Sequence, residues 1–220
     1  KAKDVGKIDL LIGGSPCQGF SFAGKQLNFD DPRSKLFFEF VRLKNEINPG
    51  FFILENVRMK QESQDIISKY LGVEPVRFNS ALVSAQNRQR LFWTNIDFDL
   101  PDDKGIILAD ILEDGITDRA KSHCLDANYF KGGNLKSYFE KHRRQLVFKE
   151  FLKDDWPLLD HAKSKYLSHL SFRKLTPLEC ERLQTVPDNY TNHVSNTQRY
   201  KMLGNGFTVD VVAHILKGLH

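Results

Sequence analysis

The sequence predicts an α/β domain interrupted by a smaller second one. Short apolar runs alternate with segments of helical periodicity between residues 8 and 96. The alternation stops near Asp118. A regular helical pattern with clear start signals returns at Thr176. The run Ile8-Asp9-Leu10-Leu11-Ile12, ending in Gly13-Gly14, reads as a buried parallel strand that stops at a sharp turn. Leu36, Phe37, Phe40, Val41, Leu43 and Ile47 recur at helical spacing, and Pro49-Gly50 ends that helix. Phe51 to Leu54 is the next strand. Ile66, Ile67, Tyr70 and Leu71 mark a second helix, and residues 74–80 and 90–96 read as further strands. This order predicts a parallel sheet, with chemistry gathered at the carboxyl ends of its strands.

Residues 97–118 form an acidic connector. The irregular stretch after it contains Gly132-Gly133 and Pro157 and reads as an inserted domain. Thr176-Pro177-Leu178-Glu179 has the form of a capping box with proline at the first helical position, and Ser195-x-x-Gln198 offers a second box. Val209, Val212, Ala213 and Leu216 are expected on the apolar face of a last helix. The expected division is therefore 1–117, 118–172 and 173–220.

Composition excludes several classes. The chain has 220 residues, is 40% hydrophobic and 27% charged, and contains no apolar run near the ~20 residues that span a bilayer. Cys17, Cys124 and Cys180 lie far apart without C-x-x-C spacing, which argues against a disulfide framework and a zinc site and fits a reducing cytoplasm. The net charge of +4 is modest, but residues 119–169 hold 11 basic against 6 acidic side chains. Aromatic, His and Asn residues accompany that excess. It suits either a nucleic-acid surface or a solvated insertion.

Three places carry candidate chemistry. Cys17 follows the first strand on the loop Gly13-Gly14-Ser15-Pro16-Cys17-Gln18-Gly19, where free backbone N–H groups favour a thiolate. The bland alternative is an inert turn thiol. Cys180, within an amphipathic helix, reads as a packing residue. Glu55 follows the next strand and would present a carboxyl group beside Cys17, a pairing suited to attack on an electron-poor ring while an acid protonates it. Its alternative role is to cap the following helix. Arg88 and Arg90, in an extended segment, would point the same way and suit a phosphate or a carboxylate; a solvated charge pair is the alternative.

Together these residues resemble the cytosine-5 DNA methyltransferase family. Pro16-Cys17-Gln18 looks like its catalytic-loop tripeptide, continued by Phe20-Ser21-x-Ala23-Gly24-Lys25-Gln26 and by Arg33 through Leu36-Phe37-Phe38-Glu39. Glu55-Asn56-Val57 and Gln86-x-Arg88-x-Arg90 match two further blocks. Arg173-x-Leu175-Thr176-x-x-Glu179-x-x-Arg182-Leu183-Gln184 and Gly204-Asn205-Gly206 match the last two, with Gly206 where many members carry Ser. The blocks stand in the family's order across nearly the whole chain. The resemblance implies a Rossmann-like S-adenosylmethionine-dependent methyltransferase sheet, with a small target-recognition domain at 118–172 inserted before C-terminal helices. The family's F-x-G-x-G strand–turn and its two acidic cofactor contacts do not occur in these 220 residues. The N-terminal strands are therefore expected from upstream residues or a separate chain.

The implied reaction transfers methyl from S-adenosylmethionine to C5 of a flipped-out cytosine in double-stranded DNA, with Cys17 attacking C6 and Glu55 acting at N3. Arg88 and Arg90 would hold the base, a flanking phosphate or the cysteine loop. Pro16, Asn205 and Gly206 would approach the cofactor. Gln18, Ser21 and Lys25 would close over the DNA. Lys121 to Gly133 resembles the strand–turn that opens such recognition domains, and His142-Arg143-Arg144-Gln145 would contact base edges or phosphates, Arg143 and Arg144 foremost. A cytoplasmic enzyme of bacterial or phage type is expected, without metal or membrane. A tRNA cytosine methyltransferase and a catalytically silent DNA-binding subunit are the alternatives.

Overall fold

The computed structural model describes residues 6–15, 36–150 and 170–219. The chain divides into two compact units, one of residues 1–79, 89–100 and 214–220, the other of residues 80–88 and 101–213. The first unit is a mixed sheet with two helices: β1 (Leu10–Gly14), α1 (Leu36–Ile47), β2 (Phe51–Val57), α2 (Gln61–Leu71), β3 (Val76–Asn79) and β4 (Gln89–Thr94). The strand order is β1-β2-β4-β3. β1 and β2 run parallel, as the intervening helix α1 requires. β4 runs antiparallel to both β2 and β3. This corrects the expectation of a parallel sheet. The link between β3 and β4 is too short for a crossover helix, so the chain must return antiparallel.

Phe37, Phe40 and Val41 of α1 pack with Phe52 and Leu54 of β2, Ile67 and Leu71 of α2, and Leu91 and Trp93 of β4. The helical spacing in α1 was legible, although Leu36 is half exposed. Trp93, fully buried, satisfies its indole by donating to Ser68 Oγ at 3.0 Å. Asn48 at φ 47° and Gly72 at φ 78° take the left-handed conformation that ends a helix. β2 extends through Val57, so Glu55 lies inside a strand. The capping alternative for Glu55 is thereby removed, since α2 starts only after Lys60.

The second unit is built from short elements. α3 (Leu108–Ile111) lies in the acidic connector, followed by a 3-10 turn at Tyr129–Lys131 and a π-turn at Lys136–Glu140. β5 (Leu146–Phe148) pairs antiparallel with β6 (Phe172–Lys174). α4 (Pro177–Leu183) and α5 (Asn196–Asn205) follow, and α6 (Val209–Leu216) carries the chain into the first unit. Leu108, Leu125, Tyr129, Leu175, Cys180 and Leu203 share one core cluster. Residues 173–213 thus fall in the same unit as the basic stretch, and the expected boundaries at 117 and 172 do not coincide with this division.

The capping box at Thr176 forms in full, with Glu179 N–H donating to Thr176 Oγ1 at 3.1 Å and Thr176 N–H to Glu179 Oε2 at 2.8 Å. Ser195 occupies the N-cap of α5 but makes no capping bond with its side chain. On α6 the deeply buried residues are Val211 and Ile215, whereas Val209 is 44% exposed and Ala213 is exposed. The apolar face is therefore rotated from the expected one, because every branched residue of this helix fits the helical period and sequence spacing cannot choose among them.

Candidate active site

In the first unit, the antiparallel register sets Arg90 opposite Val57 and Phe92 opposite Glu55. Arg90 Nε lies 2.8 Å from Glu55 Oε1, and both side chains are mostly buried, at 15% and 14% exposure. A guanidinium fixed by its strand holds the carboxylate in one orientation. Asn56, 1% exposed, points to the other side of the strand. It donates through Nδ2 to Ser15 Oγ at 2.8 Å and accepts from Val57 N–H at 2.8 Å. Gly14 is the register partner of Glu55. The end of β1, which leads by sequence into Pro16-Cys17, is therefore tied to the strand that carries Glu55. Pro16, Cys17, Gln18, Ser21 and Lys25 lie outside the described residues.

In the second unit, Arg88 is 3% exposed. It donates to Leu125 O at 2.9 Å, Gly206 O at 2.8 Å and Gly204 O at 3.3 Å, with Cys124 Sγ at 3.5 Å. The two arginines have different partners, Arg90 a carboxylate and Arg88 backbone carbonyls. Gln184 assists, donating to Leu203 O at 2.5 Å and to Gly206 O at 3.3 Å. Gln86, fully buried, ties Leu183 O at 2.8 Å to Leu125 N–H at 3.2 Å. In the last turn of α5, Gln184 supplies a partner to Leu203 O and Arg88 one to Gly204 O. Asn205 stays exposed beside the half-buried Gly206. At Gly204 the backbone of another segment comes so close that a Cβ would lie 2.3 Å from the Asp126 carbonyl carbon and 2.5 Å from Ala127 N.

The basic segment contains a dense polar cluster. Arg119 pairs with Asp118 at 2.7 Å and reaches Tyr138 Oη at 2.9 Å and His123 Nε2 at 2.8 Å. Tyr138 donates to Asp118. Burial and the neighbouring Arg119 charge hold the His123 imidazole down to about 4, so it is neutral near pH 7. Burial pushes the Cys180 thiol well up, which leaves it inert as expected. Gln145 cannot read a base: it is 1% exposed, and its amide binds Tyr138 Oη at 2.7 Å and Leu146 O at 2.8 Å while its oxygen accepts from His123 N–H at 3.2 Å. Arg144 folds back to Gly132 O at 2.8 Å. Arg143 is exposed and paired loosely with Asp126 at 3.3 Å, and His142 is exposed beside it.

Sequence reasoning assigned no role to Asn56 or Gln184. Their signal was a polar amide shortly after an apolar strand run and at the end of a helix, which a buried position must satisfy. Among the described residues no group of three His, Cys, Asp or Glu side chains could hold a metal ion. None of the described helices is long and apolar enough to cross a membrane.

The fold is that of methyltransferases. The chain superposes on the Entamoeba histolytica methyltransferase EhMeth with TM-score 0.69 at 16% identity, covering 96% of this chain and 76% of that one. It superposes on the S. pombe Dnmt2 methyltransferase with TM-score 0.63 at 16% identity, covering 99% and 79%. The C-5 cytosine-specific DNA methylase family model matches residues 1–145 and 100–220, and the chain belongs to that family. It is 33% identical to the type II methyltransferase M1.ScrFI of Lactococcus lactis subsp. cremoris, over 96% of this chain and 61% of that protein. It is 25% identical to the type II methyltransferase M.HhaI of Haemophilus parahaemolyticus, over 97% and 76%. The chain thus spans about three-fifths of the length of M1.ScrFI.

Proposed function

We propose that this chain carries the nucleophile, the acid and part of the recognition surface of a DNA (cytosine-5)-methyltransferase. The observation that carries the reading is the Glu55–Arg90 pair on a strand whose neighbour Asn56 holds Ser15, two residues before Cys17. The Cys17 thiolate adds to C6 of a flipped cytosine, which is out of reach within the stacked duplex. Glu55 holds a proton at N3 and limits the charge that develops on the ring, with Arg90 fixing its orientation. The activated C5 then takes a methyl group. Loss of the C5 proton and expulsion of Cys17 restore the ring.

Asn205 is exposed while the carbonyls flanking it are held from within by Arg88 and Gln184, so its side chain is free to meet a ligand. Asn205, Gly206 and Pro16 would hold the methionine end of S-adenosylmethionine, which supplies an electrophilic methyl group when bound. The remainder of that site is proposed to come from a further segment bearing the F-x-G-x-G strand–turn, on the same polypeptide or another. Residues 118–172 are proposed as the target-recognition domain, with Gln18, Ser21, Lys25 and Arg143 on the DNA side. A reducing cytoplasm is the proposed compartment, since the three cysteines lie far apart in the sequence without C-x-x-C spacing.

The test is covalent trapping. Duplex DNA containing 5-fluorocytosine should form a stable adduct with the full-length protein and S-adenosylmethionine, because fluorine cannot leave C5 as a proton does. Cys17→Ser should lose the adduct and Cys180→Ala should keep it. Methyl transfer to tRNA instead of duplex DNA, or trapping that survives Cys17→Ser, overturns the reading.

A further inference from the structure

Three lysines of the second unit gather around Phe130, two over its ring and one on its carbonyl. Phe130 sits in the Tyr129–Lys131 turn and is half buried. Lys201 of α5 places Nζ 5.3 Å from its ring centroid, and Lys131 places Nζ 5.8 Å from it. Lys174 of β6 donates to Phe130 O at 3.2 Å and lies 4.5 Å from the Tyr200 ring centroid. None of the three forms an ion pair among the described residues. Elsewhere in the same unit Lys104 is paired with Asp210 at 2.7 Å and Lys121 with Asp103 at 3.3 Å.

Three carboxylates of the same unit are committed to other partners. Glu179 is taken by Arg173 at 2.7 Å, and Glu181 by Arg199 at 2.9 Å. Asp126 is taken by Arg143 and by the Asn128 N–H at 2.7 Å. An aromatic face orients an ammonium group without cancelling its charge, whereas a carboxylate would cancel it. The three ammonium groups are thus held by a carbonyl and two rings, and their charge stays available to an anion.

We propose that Lys131, Lys174 and Lys201 form a grip for the phosphodiester backbone of duplex DNA. The proposal rests on the reading of DNA as substrate and extends it, because Lys174 and Lys201 lie outside the segment expected to recognise the target. An ammonium is a compact point charge suited to phosphate rather than to the two-pronged reading of a base edge. The contact therefore positions the duplex and is blind to its sequence. Holding the side chains in advance lowers the ordering cost of binding.

Duplex binding by the full-length protein at several salt concentrations tests this. Each Lys→Gln substitution should flatten the plot of log affinity against log salt by about 0.9, equally on a target duplex and on unrelated duplexes. The triple Lys→Arg variant should restore the slope, which separates lost charge from lost folding. Lys104→Gln, whose charge Asp210 already neutralises, should leave the slope alone. If wild-type protein binds duplex DNA with a salt-dependent affinity and the triple Lys→Gln variant keeps that slope, the grip is wrong and the substrate reading stands. If wild-type protein shows no salt-dependent affinity for duplex DNA, both fail together.

Discussion

At Glu55 one carboxylate has two duties that pull in different directions. Arg90, 2.8 Å away, fixes its direction and stabilises its charge, while the proposed chemistry needs it to hold a proton against the base. Substrate binding has to settle that competition by presenting a ring nitrogen as the new partner. Glu55→Gln keeps the shape and loses the acid. Its turnover is expected to fall by roughly 10²–10⁴-fold, the usual scale for a positioned general acid, with DNA affinity little changed. Single-turnover methyl transfer beside a binding titration measures both, and a near-normal rate would return Glu55 to a structural role. Both residues stood out as motif members in the sequence, but their pairing did not. It depends on the antiparallel register that brings Arg90 opposite Val57, and alternation of helix and strand carries no information about that register.

Strands and helices here owe much of their order to side chains reaching across long sequence separations. Arg88 is the clearest case, since a single guanidinium joins the carbonyl of Leu125 to those of Gly204 and Gly206 at the end of α5. Arg88→Met would strand buried carbonyls. It is expected to lower the unfolding free energy by about 2–4 kcal/mol, the sum of lost charge-assisted bonds and unmet acceptors. Arg88→Lys should recover little of this, because one ammonium cannot match the planar fork. Urea unfolding of the three proteins checks it. The elements themselves were largely legible. α1, β2 and the capping box at Thr176 follow from period and cap chemistry. Where several faces were equally apolar, as on α6, or where a strand's direction depended on the length of a link, as for β4, local pattern could not decide.

Across the whole molecule, charge is distributed unevenly, with 11 basic and 6 acidic residues in 119–169 and near balance elsewhere. The structure divides these cations by use. Arg144 is spent inside, on Gly132 O, whereas Arg143 is 54% exposed. Arg143→Gln is therefore expected to weaken DNA binding, with a salt slope flatter by about 0.9 if it meets a phosphate, or a penalty of about 1–3 kcal/mol at one base position if it reads a guanine. Arg144→Gln should instead lower the melting temperature and leave the slope unchanged. Binding to single-base variants at several salt concentrations, with melting curves, distinguishes these outcomes. The backbone approach at Gly204 has a consequence of another kind. Because Asp126 and Ala127 press main chain to main chain against it, the start of the basic segment and the C-terminal turn have to be inherited as a matched pair. Gene recombination that imports a new form of the proposed recognition segment can vary its exposed loops freely. It has to preserve the path of residues 126–127, or bring its own counterpart of residue 204 with it.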